Sequence, residues 1–238
     1  LLSDAFKSQR SNFQVSGSLS IGSSYNFLNA TNGTITMSGS TNQSISASTT
    51  FPGNFAVNSS GGEVTLESDF TVSGDFTLTA GTFRVVSGNT LTVAGDINVN
   101  GGTFIVDPNA TVVLGNGSAF TVGVSGQLDL IGSSAYPATV TTANTSNAMT
   151  VVINGTLRAQ YYQFSRLGAA GVTVNSGASI DATYHMQNGT FSYPVANGTT
   201  LLTLNRQVPG NAWDTMTFET GGSSATSPMA ITTSTSAG

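Results

Sequence analysis

Residues Phe70–Thr90 (FTVSGDFTLTAGTFRVVSGNT) lie over Leu91–Thr111 (LTVAGDINVNGGTFIVDPNAT) without a gap, at an offset of 21 residues. Nine positions are identical: Thr71/Thr92, Val72/Val93, Gly74/Gly95, Asp75/Asp96, Gly81/Gly102, Thr82/Thr103, Phe83/Phe104, Val85/Val106 and Thr90/Thr111. A period in the twenties with alternating apolar residues marks a solenoid, in which each unit buries its inner face only against its neighbours. The pattern extends upstream through Phe51–Asp69. It extends downstream through Val112–Gly132 with three extra residues before Gln127. A later pair, Val151–Phe164 over Val174–Gln187 at an offset of 23, sets Leu157 on Ile180, Ala159 on Ala182 and Tyr161 on Tyr184.

Within a unit, FTLTA, TFRVV, LTV, INV and TFIV alternate with period two, as half-buried strands do. Between them stand SGD, NGG, SGN, DPN and GNG, where Gly supplies positive φ and Asn or Asp tolerates it. The chain is therefore expected to wind with about 21–24 residues per coil. Each strand would lie about 4.8 Å from its equivalent in the next coil, in parallel. Val72, Val93, Phe83, Phe104, Val85 and Val106 are the expected inward columns, with Thr, Ser and Asn outward. Residues 1–15 read as an N-terminal cap or assembly segment, with a short helix or a loose tail at Leu1–Arg10. Residues 16–135 read as regular solenoid, and 136–238 as a less regular continuation with loop excursions such as Ala143–Ala148. The start at Leu1 rather than Met reads as a processed product or a piece of something longer.

Composition closes off other readings. Thr, Ser, Gly and Asn number 35, 32, 28 and 20 of 238 residues, too many poor helix formers for a long helical protein. Charged residues are 7% of the chain, against about 25% in ordinary domains. Six Lys and Arg against eleven Asp and Glu cannot supply a nucleic-acid footprint. With no Cys there is neither a disulfide framework nor a thiolate metal site. No apolar run reaches the length of a transmembrane helix.

Few residues suggest chemistry, and each has a plain structural alternative. Asp75 and Asp96 share a Gly-Asp turn position. Stacked, they would raise each other's pKa or recruit a cation such as Ca2+; alternatively they are turn residues chosen for their geometry. By alternation Tyr162 and His185 share one face, and an outward pair could stack on a sugar ring, with Trp213 a third candidate. Aromatic ladders also simply stabilise solenoids. His185 is the sole histidine, so a Ser-His-acid triad would have only this base, and no G-x-S-x-G elbow accompanies it. Arg158 falls over Asp181, a cross-coil ion pair that fixes register. Thr71/Thr92, Thr82/Thr103 and Thr90/Thr111 are stacked pairs of the kind that bind ice. However, Thr77 and Thr79 meet Asn98 and Asn100, and the Thr82/Thr103 column continues as Gln127.

The stretch TITMSGSTNQSISASTTFPGNFAVNSSGGEVTLESDFTVSGDFTLTAGTF is similar to the Gly/Thr/Ser/Asn-rich repeats of large secreted bacterial surface proteins, including adhesin and autotransporter passenger segments. The resemblance covers roughly residues 15–205 and is one of repeat grammar. It implies an all-β, right-handed parallel β-helix, secretion to the cell surface, and a role in attachment, matrix or filament building. Self-association through end coils or edge strands would follow, with polysaccharide or a cell surface as further partners. The calcium-binding nonapeptide repeat is absent, as are catalytic signatures of the lyases and hydrolases that share the fold. The expectation is a non-enzymatic structural or adhesive protein with no cofactor. The alternatives are a carbohydrate-binding or depolymerising β-helix and, third, an ice binder.

Overall fold

The computed structural model describes residues 12–22, 33–195, 200–208, 215–219 and 229–233. Strands run in chain order as β1 (Phe13–Val15), β2 (Leu19–Ile21), β3 (Thr34–Met37), β4 (Gln43–Ala47), β5 (Asn54–Leu66), β6 (Phe70–Val72) and β7 (Phe76–Val85). There follow β8 (Thr90–Val93), β9 (Ile97–Val106), β10 (Thr111–Leu114), β11 (Ala119–Ile131), β12 (Ala138–Thr142), β13 (Met149–Ile153) and β14 (Thr156–Gln160). The last are β15 (Tyr162–Ser165), β16 (Leu167–Val174), β17 (Ser179–Gln187), β18 (Thr190–Ser192), β19 (Thr200–Leu204), β20 (Thr217–Phe218) and β21 (Met229–Thr233). No helix occurs among the described residues, and every pairing is parallel.

The result is a parallel β-solenoid of about eight turns. Each full coil crosses three faces. Face one stacks β1, β3, the first halves of β5, β7, β9 and β11, then β13, β16, β19 and β21. Face two stacks β2, β4, the second halves of β5, β7, β9 and β11, then β14 and β17. Face three stacks β6, β8, β10, β12, β15, β18 and β20, with Phe51 bridged to Val72 at its start. Coils are counted from β1, so β7 and β8 form coil four, β11 and β12 coil six, and β16 to β18 coil eight. β1 begins at Phe13, inside the stretch expected to cap the rod; Leu1–Arg10 lies outside the described residues.

The expected columns stand. Val72 pairs with Val93 and Val93 with Leu114, and Phe83 and Val85 pair with Phe104 and Val106; all are fully buried. Period-two alternation drives this, because every second side chain enters an interior that one coil alone cannot close. Phe76, Phe83, Phe104 and Phe120 form a continuous ring stack with centroid separations of 4.7, 5.2 and 5.3 Å. A second stack fills the later coils, with Phe164 5.8 Å from Phe191 and Phe191 5.0 Å from Phe218. The bend between faces one and two needs glycine. Gly102 has φ +76, and a Cβ there would sit 2.2 Å from the Gly81 carbonyl oxygen.

Two later registers differ from the alignment. Ile153 pairs with Val174, an offset of 21, because Asn154–Gly155 is a shorter corner than Asn175–Ala178. Leu157 does pair with Ile180, but Ala159 pairs with His185 rather than Ala182. Asp181 causes the slip. Its Oδ1 accepts from the backbone N–H of Thr183 and of Tyr184, both at 2.8 Å, and this side-chain turn loops the strand outward.

Candidate functional site

Face two collects the charged side chains that lie on strand faces. In coils three to five, the Arg84 Nε donates to Glu63 at 2.9 Å and its Nη1 to Asp107 at 2.7 Å. In coils six to eight, the Arg158 Nη1 donates to Asp129 at 2.6 Å, and its Nε lies 3.7 Å from Asp181. Each arginine thus ties an acid of the coil before it to an acid of the coil after it. The Arg158–Asp181 pair expected from the sequence is present, and Asp129 adds a closer partner.

The two triads differ in burial. Glu63 and Asp107 are half-exposed, whereas the Asp129 side chain is only 6% exposed. Burial pushes the Asp129 carboxyl above the usual carboxylate range, against the pull of Gln127 and Arg158. Asp181 moves the other way, chiefly because its carboxylate accepts the Tyr184 backbone N–H. Arg84 is held above its ordinary value by its hydrogen bond to Glu63.

Around Arg158 the looped strand assembles further groups. Its guanidinium carbon lies 4.8 Å from the centroid of the Tyr184 ring, a cation–π contact. Gln160 donates through Nε2 to Gln187 Oε1 at 2.9 Å, and Gln187 Nε2 lies 3.1 Å from the His185 ring nitrogens. His185 Nδ1 is 3.1 Å from the Ala182 carbonyl; the tautomer that donates there leaves Nε2 to accept from Gln187. The cluster is a polar network whose cation is matched by two acids, a composition suited to neutral polar groups rather than anions.

The sugar-stacking pair does not form. Tyr162 opens a face-three strand, is 1% exposed and packs edge-on to Phe164 and Phe191, and burial raises its phenol pKa. The cause is Tyr161, whose φ of +49 turns the chain in a single residue from face two to face three, so Tyr162 points inward. His185 remains on face two, a different face of the rod. Trp213 lies outside the described residues.

Asp75 and Asp96 do stack, but as links in a backbone ladder. Asn54 Oδ1 accepts the Asp75 N–H, Asp75 Oδ1 the Asp96 N–H, and Asp96 Oδ1 the Ala119 N–H, each at 2.9 Å. One carboxylate oxygen of each is thereby committed to satisfying a corner N–H of the next coil. Among the described residues no group of three or more His, Cys, Asp or Glu is placed to hold a metal ion.

Asp129 and Tyr184 were missed at the level of sequence. The available signal was an acid flanked by Leu128 and Leu130, which alternation places outward beside the next coil's Arg158. No family model, curated protein or solved structure matches the chain.

Proposed function

We propose that this chain is the structural and adhesive part of an extracellular β-solenoid, displayed at a cell surface and able to join copies through its end coils. The observation that carries the reading is the surface it offers. Among the described residues, the strands of faces one and three carry no charged side chain, while an unbroken apolar column fills the interior. Parallel ladders make such a body stiff along its axis, and neutral, hydroxyl-rich walls make close lateral approach cheap in desolvated charge. The resemblance to secreted surface repeats supports the location.

Eight turns at about 4.8 Å span roughly 40 Å, the single length against which joined copies of this chain are measured. Small-angle scattering and negative-stain imaging across a concentration series test this. Rods in multiples of the single length are expected. Chains that stay monomeric at high concentration and adhere to no surface would overturn it. A second reading, glycan binding, is supported by the ring of Tyr184 beside Arg158 and the amides of Gln160 and Gln187 on face two. Glycan-array binding abolished by Tyr184→Ala would favour it.

A further inference from the structure

Face three carries a regular array that the repeat alignment hides. Outward residues pair as Thr90 on Thr111, Thr111 on Thr139, Thr139 on Gln163 through the β12–β15 register, and Gln163 on Thr190. Beside them run Thr92 on Val113 and Val113 on Thr141. The rungs of coils four to eight read Thr-Leu-Thr, Thr-Val-Val, Thr-Val-Thr, Gln-Phe-Ser and Thr-Phe-Ser, with every middle residue buried. Parallel pairing sets the rungs about 4.8 Å apart and the two columns about 6.6 Å apart.

Three further observations give this lattice a chemistry. The outward positions of coils four to six are all half-buried, each side chain packed between those of the coils beside it. The hydroxyls of Thr90, Thr92, Thr111 and Thr139 are held by no hydrogen bond within the described residues, while Ser165 Oγ donates to Thr141 Oγ1 at 2.7 Å and locks that end of the array. No rung carries a charge or an outward aromatic ring. A neutral face favours a neutral occupant over an ionic mineral or an anionic glycan, and no outward ring offers a stacking platform for a single sugar. What remains is hydroxyl and methyl groups alternating on a two-dimensional grid. Thr is β-branched and therefore stiff at χ1, so little rotamer freedom is lost when the grid is covered.

We propose that face three of coils four to six binds the ordered water of an ice surface, its free threonine hydroxyls entering the lattice and its methyl groups resting on it; in coils seven and eight Ser165 and Ser192 are buried and bound within the protein, which ends the array. The proposal rests on the register of face three and is independent of filament formation. The test is freezing-point hysteresis and crystal shaping in a nanolitre osmometer, with an ice crystal in buffer as the probe. The wild-type chain is expected to show hysteresis and faceted crystals. Thr139→Tyr and, separately, Thr92→Lys, both outward and checked for an unchanged melting temperature, should lower hysteresis several-fold. Thr121→Tyr on face one should leave it intact. Absence of hysteresis and shaping at millimolar protein overturns the proposal, as does equal loss in the face-one and face-three variants. Sedimentation with microcrystalline cellulose that Thr139→Tyr abolishes, without hysteresis, would assign the face to a crystalline polysaccharide instead.

Discussion

In coils three to five the left-handed positions belong to Gly62, Gly81, Gly88, Gly102, Asn109 and Gly117; in coils seven and eight they belong to Tyr161, Arg166, Met186, Asn188 and Tyr193, with Gly171 the exception. The two halves of the rod share one winding and one kind of core, but they turn their corners by different means. Glycine takes the left-handed conformation freely, whereas a side chain there costs about 1–2 kcal/mol. The later coils gain sharper turns from it. Tyr161 passes between two faces alone, and Arg166 does so at the next corner, its guanidinium carbon 5.5 Å from the ring centroid of Tyr193 on the following coil. The regular half follows the backbone's preference, and the irregular half holds strained corners through its packing and its buried ion pair.

If the core is common to both halves, truncating a ring should cost about as much in either. Phe104→Ala and Phe191→Ala are each expected to destabilise by roughly 3–5 kcal/mol in denaturant titrations. Both rings are fully buried within aromatic stacks. A cost below about 1 kcal/mol for Phe191→Ala alone would break the view that one continuous core runs through both regions.

The arginine triads should separate the halves. Arg158→Met strands the nearly buried Asp129 without its cation and is expected to cost roughly 2–3 kcal/mol. Arg84→Met frees two carboxylates that water can reach and should cost about 1 kcal/mol or less. Equal thermal shifts in the two variants would mean that the burial of Asp129 has no energetic consequence.

Corner substitutions should run in opposite directions. Gly102→Ala forces a side chain into positive φ and against the Gly81 carbonyl, a loss of roughly 1–3 kcal/mol. Tyr161→Gly relieves a strained corner and should stabilise by about 1 kcal/mol. If Tyr161→Gly destabilises instead, the tyrosine side chain contributes more through its contacts than its backbone conformation costs.

The same division governs how much could be read without coordinates. Phe83 on Phe104 and Val72 on Val93 follow from an offset with no gap, since a period-two strand leaves only one register that keeps its apolar set inside. Tyr162 did not follow, because a single left-handed residue before it reverses which alternate side chains face inward. The Ala159–His185 pair was hidden because a side-chain turn at Asp181 adds three residues that no residue count anticipates. The threonine grid was hidden for a related reason. Coil six lengthens the interval from Val112 to Val140 to 28 residues, so Thr139 and Thr141 fall outside any search at the 21-residue period. Registers fixed by burial are legible in sequence, and those set by corner length are not.

The smallest effect is a pH slope carried by the second triad. Asp181 has its folded pKa lowered, so its stabilising contribution is present above the unfolded value of 3.8 and disappears as the pH falls through the lowered folded value. Asp129 has its folded pKa raised, so its contribution is complete below 3.8 and is lost as the pH rises through the folded value. The two slopes oppose each other in the wild-type chain. Asp181→Asn should therefore lower the melting temperature at pH 7 by a margin worth under about 1 kcal/mol, because Asp181 is half-exposed and its charge is screened by solvent. That margin should shrink toward zero as the pH falls through the lowered folded value. With Asp181 gone, the variant should also gain stability relative to pH 7 on mild acidification, as protonation relieves the buried Asp129. A constant difference across the titration would show that neither carboxylate is linked to folding. A margin that grows in acid would reverse the sign assigned to Asp181.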